Sequence, residues 1–360
     1  MEKFAFIIHP LDAKDVARKF PFTRYLPDNV VENVFRLVPP MKVSHITGVE
    51  TPHSRAEGWF VSCPLTAGQM LRLPEKFVTG KIIQAGKVAE KLGAKIVGLG
   101  AFTSVVGDAG YTIAKNLNIA VTTGNSFTVA TAVEGAREAA RLMGHNLNNV
   151  HVVVLGATGS IGRVCSILMA GEVKKMTLVA RNKKPLEELA ETILYRTGLS
   201  VGITSDVKAA LKTAQIIIAV TSSVDTLIGP GDLMPGAVVC DVSRPRNVSK
   251  QVAMERDDVL VLEGGVVEVP GDVNFNLNFG FPPGMAYACM AETMILALEG
   301  RYENFSLGRD LTIEQITEIS TLAKKHGFKL AGFRSFERAI PPREIETIRM
   351  NALGKGLQVV

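Results

Sequence analysis

The sequence lacks several features that would place it in a familiar class of protein. No apolar run is long enough to span a membrane, and the opening residues MEKFAFIIHP lead into no small-residue cleavage site of the secretory kind. Only four cysteines occur in 360 residues, and no two form the C-x-x-C pair that is typical of metal or redox sites. We therefore predict a protein of the reducing cytoplasm, with no integral membrane segment and no metal site.

An excess of charge of one sign is also missing. The chain has 40 Lys and Arg against 35 Asp and Glu, a net charge of +5, and no basic block interleaved with aromatic residues. We predict no nucleic-acid partner, whereas this mild basicity permits an acidic protein partner. No internal repeat or low-complexity segment is present. With 47% hydrophobic residues, the composition predicts a globular chain of two or three domains.

The most informative motif of the sequence is a glycine-rich junction between a predicted strand and a predicted helix. VVVLGATGSIG, residues 152–162, joins a buried apolar strand to a helix through three glycines. A sharp turn of this kind leaves backbone N–H groups at the helix N-terminus, where they suit a diphosphate. Gly156 permits the turn, Gly159 lets the backbone approach the phosphates, and Gly162 lets helix and strand pack closely. The spacing departs from G-x-G-x-x-G by one position, and an ordinary strand–turn–helix junction is the alternative. The predicted dinucleotide contacts are Gly156, Thr158, Gly159, Ser160, Ile161 and Gly162.

The end of the next strand, MTLVAR, predicts which dinucleotide binds. NAD-binding domains place an acidic residue here to hold the ribose 2′-hydroxyl. ARNKK, residues 180–184, instead supplies three cations and no carboxylate. Because cations attract a 2′-phosphate, we predict NADPH, with a solvated basic turn as the alternative. The predicted contacts outside the glycine turn are Arg181, Asn182, Lys183, Thr221 and Ser222.

The alternation of strands and helices predicts the fold class. It is α/β, with a doubly wound parallel sheet of Rossmann type, a mixed α/β N-terminal substrate domain and closing C-terminal helices. The predicted order is a substrate domain at 1–125, a connecting helix at 126–147, an NADP-binding Rossmann domain at 148–270, a cysteine-bearing helix and a closing helix at 271–332, and a polar C-terminal tail at 333–360 whose structure is not assigned.

Two stretches outside the nucleotide domain are candidates for a substrate site. TTGNS, residues 122–126, precedes a helix, and Asn125 or Ser126 either caps that helix or contacts substrate. Residues 285–298 are predicted to be an apolar helix with Cys289 in its second turn. A helix N-terminus stabilises a thiolate, but the effect fades beyond the first turn. The residues alone therefore favour Cys289 as a small core residue.

Several strings of the sequence together resemble a known family. GLGAFTSVV, TTGNSFTVATA, VVVLGATGSIG, LVARN, LEGGVVE and YACMAETMILALEGRYENFSLGRDLTIEQI with HGF are similar to the long-chain acyl-[acyl-carrier-protein] reductases of cyanobacteria. They cover most of residues 90–330 in the family's order; the part before residue 90 matches weakly, apart from the cysteine in VSCPL. The resemblance implies that a fatty acyl thioester, on acyl-carrier protein or coenzyme A, is reduced by NADPH to a fatty aldehyde.

The resemblance also implies a mechanism. The cysteine of the family's A-C-x-A-E string is Cys289 here, and its implied role is a nucleophile that forms an acyl-enzyme before the reduction. Glu292, three residues later on the same helix face, either orients the site or is a satisfied core residue. The candidate oxyanion donors are Asn125, Ser126, Thr103 and Ser104.

The sequence is also compatible with two other functions. A shikimate-dehydrogenase-like protein would reduce a small ketone directly and would need a lysine–aspartate pair; Lys95 and Asp108 exist but lie outside that family's motifs. A protein that senses NADPH without catalysis would bind the cofactor and form no acyl-enzyme. The sequence assigns neither the acyl chain length, nor the carrier, nor a divalent-metal requirement, nor the oligomeric state.

Overall fold

The structure is a computed structural model that describes residues 1–223 and 225–356, apart from the side chains of Arg18 and Lys19. The strands, in chain order, are β1 (Glu2–Ile8), β2 (Lys42–Glu50), β3 (Arg55–Ser62), β4 (Ile96–Leu99), β5 (Ala120–Thr122), β6 (His151–Leu155), β7 (Lys175–Val179), β8 (Gly202–Thr204), β9 (Ile216–Ala219), β10 (Val238–Asp241), β11 (Leu260–Glu263), β12 (Val266–Glu268), β13 (Met285–Tyr287), β14 (Lys329–Leu330), β15 (Arg334–Ser335) and β16 (Arg338–Ala339).

The α-helices are numbered in the same way. They are α1 (Ala13–Lys19), α2 (Asp28–Phe35), α3 (Ala67–Arg72), α4 (Glu75–Lys91), α5 (Tyr111–Lys115), α6 (Asn125–Leu142), α7 (Ser160–Ala170), α8 (Lys183–Thr197), α9 (Val207–Leu211), α10 (Lys250–Glu255), α11 (Ala288–Leu298), α12 (Ile313–His326) and α13 (Pro342–Gly354).

The chain divides into two compact units. The first unit comprises residues 1–127 and 267–329, and the second comprises residues 128–266 and those from 330 onward. Among the described residues, no helix combines the length and the apolar character needed to cross a bilayer.

The first unit is built on a five-stranded sheet in the order β2–β3–β1–β4–β5, in which β2 is antiparallel and the other strands are parallel. Successive side chains of β1 point to opposite faces, as the period of a strand requires. Ala5 and Ile7 join a buried cluster with Val78 and Ile82 of α4. The other face receives α11, and the approach is close: a Cβ at Gly98 would lie 2.0 Å from Thr293 Oγ1. Helices therefore cover both faces of this sheet.

The second unit contains a six-stranded, all-parallel sheet in the order β11–β10–β9–β6–β7–β8. The chain starts in the middle at β6, moves outward through β7 and β8, and returns to the other side at β9. This is the strand order of a doubly wound Rossmann sheet, with its switch point between β6 and β9. The predicted fold class is thus confirmed.

Two details differ from the sequence-based expectations. The helix predicted over residues 285–298 begins at Ala288, because residues 285–287 form β13. Cys289 consequently lies in the first helical turn, and its predicted placement in the second turn was wrong. The tail at 333–360 contains the β15–β16 hairpin and α13, and its last four residues lie outside the described residues.

Candidate active site and dinucleotide site

Cys289 is the second residue of α11. The helix follows Tyr287, whose side chain makes no capping hydrogen bond to the helix. The thiol is half-buried. Backbone N–H groups of the first turn and the helix dipole stabilise a negative charge at such a position.

The other three cysteines are in a different environment. Cys63, Cys165 and Cys240 are buried, and burial raises the pKa of the Cys63 and Cys165 thiols to about 12. Burial shifts the pKa of Cys240 in the same direction, and Cys165 and Asp241 add to the rise. Since the thiolate is the nucleophilic form, Cys289 is the one cysteine of the four with both exposure and a favourable position.

The turn between β5 and α6 packs directly against this cysteine. Gly124 has a φ of +74°, and a Cβ there would lie 2.3 Å from both Cα and Cβ of Cys289. Both the backbone conformation and the contact therefore require glycine. The TTGNS stretch, which the sequence analysis singled out for its polar side chains, is held beside Cys289 by this contact.

Glu292 connects the same turn to α11. Its carboxyl group is fully buried and accepts hydrogen bonds from Ser306 Oγ at 2.7 Å, Phe127 N at 2.8 Å and Gly124 N at 3.2 Å, and also from the Thr122 hydroxyl. Burial raises the pKa of Glu292, although these donors pull it downward. Because Phe127 N belongs to the first turn of α6, Glu292 acts as the cap of that helix from outside it.

Ser306 is a member of this network that the sequence analysis missed. Phe305 N donates to Val121 O at 3.0 Å, which places Ser306 beside the end of β5. Its Oγ lies 3.1 Å from Thr122 Oγ1 and 2.9 Å from Thr123 Oγ1. The residue has a φ of +48°, which is uncommon for serine. No spacing pattern in the sequence predicts a contact between Ser306 and residues 122–123. The one signal was that Ser306 lies within YENFSLGRD, part of a string that resembles the reductase family.

Asn125 and Ser126 have unusual surroundings for polar residues. Both are buried, yet Asn125 Nδ2 and Ser126 Oγ make no hydrogen bond within the described structure. Neither residue occupies the N-cap position, because α6 begins at Asn125 itself. Buried donors normally have partners, and a group that lacks one needs an explanation such as a ligand. The capping alternative for these two residues is therefore wrong.

Thr103 and Ser104 are already satisfied by their own turn. Thr103 Oγ1 accepts from Gly100 N at 2.9 Å and donates to Gly100 O at 2.8 Å. Ser104 Oγ donates to Ala101 O at 2.7 Å. Their predicted role as oxyanion donors has no support, because each hydroxyl proton is already used to close the turn.

An aromatic cluster begins at Tyr287, directly before α11. The ring centroids of Tyr287 and Phe281 are 4.6 Å apart, and those of Phe281 and Phe279 are 5.7 Å apart. The Phe279 ring centroid lies 5.2 Å from that of Phe275 and 5.8 Å from that of Phe60. Tyr287, Phe279 and Phe281 are half-buried, and the loop that carries the latter two has no regular structure. This aromatic cluster is an accessible apolar surface next to the cysteine helix.

In the second unit, the glycine turn joins β6 to α7. Gly156 has a φ of +81°, and a Cβ there would lie 2.7 Å from Val220 O. A Cβ at Gly162 would lie 2.2 Å from Gly156 O, so the packing of the turn requires both glycines. Gly159 is different, because the nearest atom to a Cβ placed there would be Gly156 O at 3.4 Å, an ordinary contact distance. The chain itself does not explain why residue 159 is glycine.

The start of α7 fits a dinucleotide diphosphate. Gly159 occupies the N-cap position without a side-chain cap, and both Thr158 and Gly159 are exposed. Ser160 and Ile161, the first helical residues, are half-buried. The turn also follows β6 at the switch point of the sheet, which is where ligands bind in folds of this kind. These N–H donors and the space above Gly159 suit an anionic ligand.

The remaining predicted cofactor residues follow β7 and β9, the two neighbours of β6. Arg181, Asn182 and Lys183 are exposed, and Lys183 Nζ lies 3.3 Å from a carboxylate of α8, that of Glu187. The hydroxyl group of Thr221 already has a partner within the protein, because it donates to the Asn247 side-chain oxygen at 2.7 Å. Ser222 is exposed beside it.

Comparisons with known proteins show what the chain is similar to. A family model described as shikimate / quinate 5-dehydrogenase matches residues 137–262. The chain is 30% identical over 361 positions to the aminotransferase PigE of a Serratia species, covering 96% of this chain and 42% of that protein. It is 29% identical over 333 positions to the long-chain acyl-[acyl-carrier-protein] reductase of Synechococcus elongatus, covering 88% and 94%. Quinate dehydrogenase from Corynebacterium glutamicum, solved with NAD, gives a TM-score of 0.37 at 14% identity over 72% of this chain and 87% of that one.

The chain thus spans less than half the length of the Serratia relative. The family model falls inside the second unit, on the segment that carries the glycine turn and most of the parallel sheet. Together with the strand order, this match indicates that the second unit binds a nicotinamide dinucleotide, as oxidoreductases do. The predicted nicotinamide cofactor is confirmed at that level.

Proposed function

We propose that the chain is an NADPH-dependent reductase that converts long-chain fatty acyl thioesters to fatty aldehydes through an acyl group on Cys289. The observation that supports it best is the junction in the first unit. There the one accessible cysteine lies in the first turn of α11, against a turn whose next two residues carry buried donors without partners. A nucleophile beside unused donors is the arrangement that acyl transfer needs.

The first step is acyl transfer to the protein. The Cys289 thiolate attacks the thioester carbonyl carbon, a new sulfur–carbon bond forms, and the bond to the carrier sulfur breaks. The carrier leaves as a thiolate and takes up a proton from solvent. Asn125 Nδ2 and Ser126 Oγ donate to the carbonyl oxygen while it carries negative charge, and preorganised donors of this kind are worth several kcal/mol, about 3–4 for one donor.

The second step reduces the new thioester. When bound, the reduced dinucleotide supplies the hydride. The same two donors stabilise the second oxyanion, and the carbon–sulfur bond then breaks to release the aldehyde and the Cys289 thiolate. In the second unit, the backbone of the glycine turn at Gly159 holds the diphosphate, and Arg181 holds the 2′-phosphate that distinguishes NADPH.

Glu292 is proposed as a positioning residue. It contacts Gly124 N and Phe127 N, which flank Asn125 and Ser126 in the chain. Its carboxyl group thereby fixes the backbone that carries the two oxyanion donors relative to α11. It takes no proton from the substrate in this proposal.

The proposed substrate class rests on two further points. The aromatic cluster beside α11 offers apolar surface for the hydrocarbon of an acyl group. The Synechococcus protein, which the chain matches over 94% of that protein's length, is described as a long-chain acyl-[acyl-carrier-protein] reductase. We therefore propose acyl-carrier protein as the partner that delivers the acyl group. The net charge of +5 suits an acidic partner.

The decisive experiment locates the acyl group. Purified protein is incubated with palmitoyl thioester in the absence of NADPH, digested, and mapped by mass spectrometry. We expect the added mass on the Cys289 peptide and its absence in Cys289→Ser, which should lose aldehyde formation by more than about a thousandfold while still binding NADPH. Cys63→Ser is the matched control and should retain both steps. An adduct on the Cys63 peptide, or full turnover by Cys289→Ser, would contradict the proposal.

The small-ketone reductase is the alternative function, and it would need a lysine–aspartate pair that Lys95 and Asp108 do not provide. Lys95 Nζ lies 3.2 Å from a Glu2 carboxylate oxygen, and Asp108 accepts hydrogen bonds from the backbone and hydroxyl of Thr112. These two residues have separate partners and form no catalytic pair. A protein that binds NADPH but forms no acyl-enzyme in the mapping experiment would be the sensing protein instead.

A further inference from the structure

A group of exposed apolar side chains in the first unit takes no part in the proposed chemistry. It lies on residues 20–42 and on the neighbouring residues 71–81, which we call the apolar face. Tyr25 is 89% exposed, Leu37 76% and Phe22 65%. The exposed large apolar residues on this face are Phe22, Tyr25, Leu26, Val30, Val34, Leu37, Met41, Leu71 and Phe77. A patch of this kind marks an interaction site in a folded protein.

The apolar face is not an unfolded edge of the structure. Val31 packs with Ala13 and Val16 of α1, supported by Phe20 and Phe35. The inner side of α2 is therefore already filled. Val30 and Val34, one turn apart, form a neighbouring stripe of the helix that is exposed to solvent.

Polar contacts also fix α2 in place. Thr66 Oγ1 donates to Glu32 Oε1 at 2.9 Å, and Arg72 lies 3.2 Å from the second carboxylate oxygen. Lys81 Nζ donates to Val38 O at 3.2 Å. These contacts hold residues 20–42 against residues 66–81, so the exposed side chains belong to neighbouring segments that the fold supports.

Charge identifies the kind of partner. Residues 20–42 and 71–81 contain six Lys and Arg against three Asp and Glu, a far stronger bias than the 40 to 35 of the whole chain. Glu32 and Arg72, one member of each set, are paired with each other, which leaves five cations against two carboxylates. The cations alternate with apolar residues: Arg24 precedes Tyr25, Arg36 precedes Leu37, and Lys42 follows Met41. Interfacial segments have this pattern, because the apolar side chains enter the lipid and the cations stay at the phosphates.

We propose that the apolar face docks the chain peripherally on an anionic lipid bilayer. Aromatic and aliphatic side chains insert at the level of the headgroups, and the cations pair with lipid phosphates. The proposal does not depend on the chemistry at Cys289. If both hold, the apolar aldehyde is formed by a protein that already lies on a surface into which it can pass.

The test is flotation of the whole chain with vesicles. Vesicles of pure phosphatidylcholine are compared with vesicles that contain one third phosphatidylglycerol. We expect flotation with the anionic vesicles, and weaker flotation at high salt or with the neutral ones. The double variant Tyr25→Ser/Leu37→Ser should bind at least about tenfold more weakly, because two exposed anchors are lost. The matched control Leu194→Ser/Tyr195→Ser removes two exposed residues of α8 and should float like the parent.

Three results would overturn the proposal. They are no flotation of the parent, equal flotation of the Tyr25/Leu37 variant, and self-association that this variant abolishes without any flotation. The last result would mean that a second copy covers the face. Unchanged thermal unfolding of the variants excludes a folding defect. The acyl-mapping experiment, run on the same variants with soluble substrate, separates a failure of docking from a failure of the proposed chemistry.

Discussion

Two junctions of the same local design occur in this molecule. In the first unit, β5 ends and α6 begins across residues 122–126. In the second unit, β6 ends and α7 begins across residues 155–160. Each turn uses a glycine with positive φ, +74° at Gly124 and +81° at Gly156. Each helix also leaves backbone N–H groups at its start that need an acceptor.

The two junctions meet this need in opposite ways. The start of α6 is closed, because the buried Glu292 accepts from Phe127 N at 2.8 Å. The start of α7 is open, with an exposed Gly159 at the N-cap position and no side-chain cap. By supplying its own acceptor at the closed junction, the chain fixes the backbone that carries Asn125 and Ser126, the two proposed oxyanion donors. At an open junction the N–H groups are free to donate to water or to an anionic ligand, and a dinucleotide diphosphate is a ligand of that kind.

The largest expected effect tests the closed junction. Asn125→Ala removes a buried donor that has no partner in the described structure. We expect aldehyde formation to fall by about a hundred- to a thousandfold, as for loss of an oxyanion-hole donor, while NADPH binding is unchanged. Steady-state kinetics and a cofactor titration measure the two quantities. Asn116→Ala, at an exposed position in the same unit, is the control. If both variants keep full activity, the donor at residue 125 serves no oxyanion.

The next prediction tests the open junction. Gly159→Val should abolish NADPH binding, by more than about a hundredfold, because a side chain would occupy the space above the turn while the fold tolerates it. Gly162→Val is the contrasting variant. Its Cβ would lie 2.2 Å from Gly156 O, so this substitution should lower the unfolding temperature as well. Calorimetric titration and thermal unfolding separate the outcomes. Normal NADPH binding by Gly159→Val would place the phosphates elsewhere.

The next prediction has a smaller expected effect and concerns the 2′-phosphate of the proposed cofactor. Arg181→Ala should weaken NADPH binding about ten- to a hundredfold and leave NADH binding nearly unchanged, because one charge-assisted hydrogen bond to the 2′-phosphate is lost. Arg196→Ala, at the exposed end of α8, is the matched control. Equal weakening of the two cofactors by Arg181→Ala would mean that the residue does not read the 2′-phosphate.

The open junction was much easier to predict from sequence than the closed one. The glycine turn, its strand and its helix are contiguous, so local pattern alone gave the doubly wound fold and the position of the turn. The prediction for Cys289 was less accurate because MAY, residues 285–287, is composed like the helix that follows but pairs as a strand. Tertiary pairing outweighed local propensity at that point.

The closed junction combines residues that are far apart in the chain. Glu292 meets Thr122 across 170 positions, and Ser306 meets Thr123 across 183. No period or spacing in a single sequence encodes such contacts, so Ser306 was missed. Thr103 and Ser104 show the opposite error. Their composition resembles that of a ligand loop, but each hydroxyl closes its own turn, which needs coordinates to see.

The final prediction concerns the pH dependence of stability at the closed junction. Burial raises the pKa of Glu292 above its ordinary value of 4.5. A raised pKa in the folded state means that the contribution to stability is full below about pH 4.5 and is lost as the pH rises through the folded pKa. Glutamine does not titrate. The free energy of unfolding of the parent minus that of Glu292→Gln should therefore fall as the pH is raised.

Glu299, at the other end of α11, provides a control of opposite sign. Hydrogen bonds from Lys325 lower its pKa, and His326 lowers it further. Its contribution to stability is therefore present above the unfolded pKa and is lost as the pH falls through the folded one. The same difference for Glu299→Gln should rise with pH. Urea unfolding of the parent and both variants across the acid-to-neutral range measures the two slopes. Equal signs would show that Glu292 is not held as a buried carboxyl group beside the turn at residues 122–126.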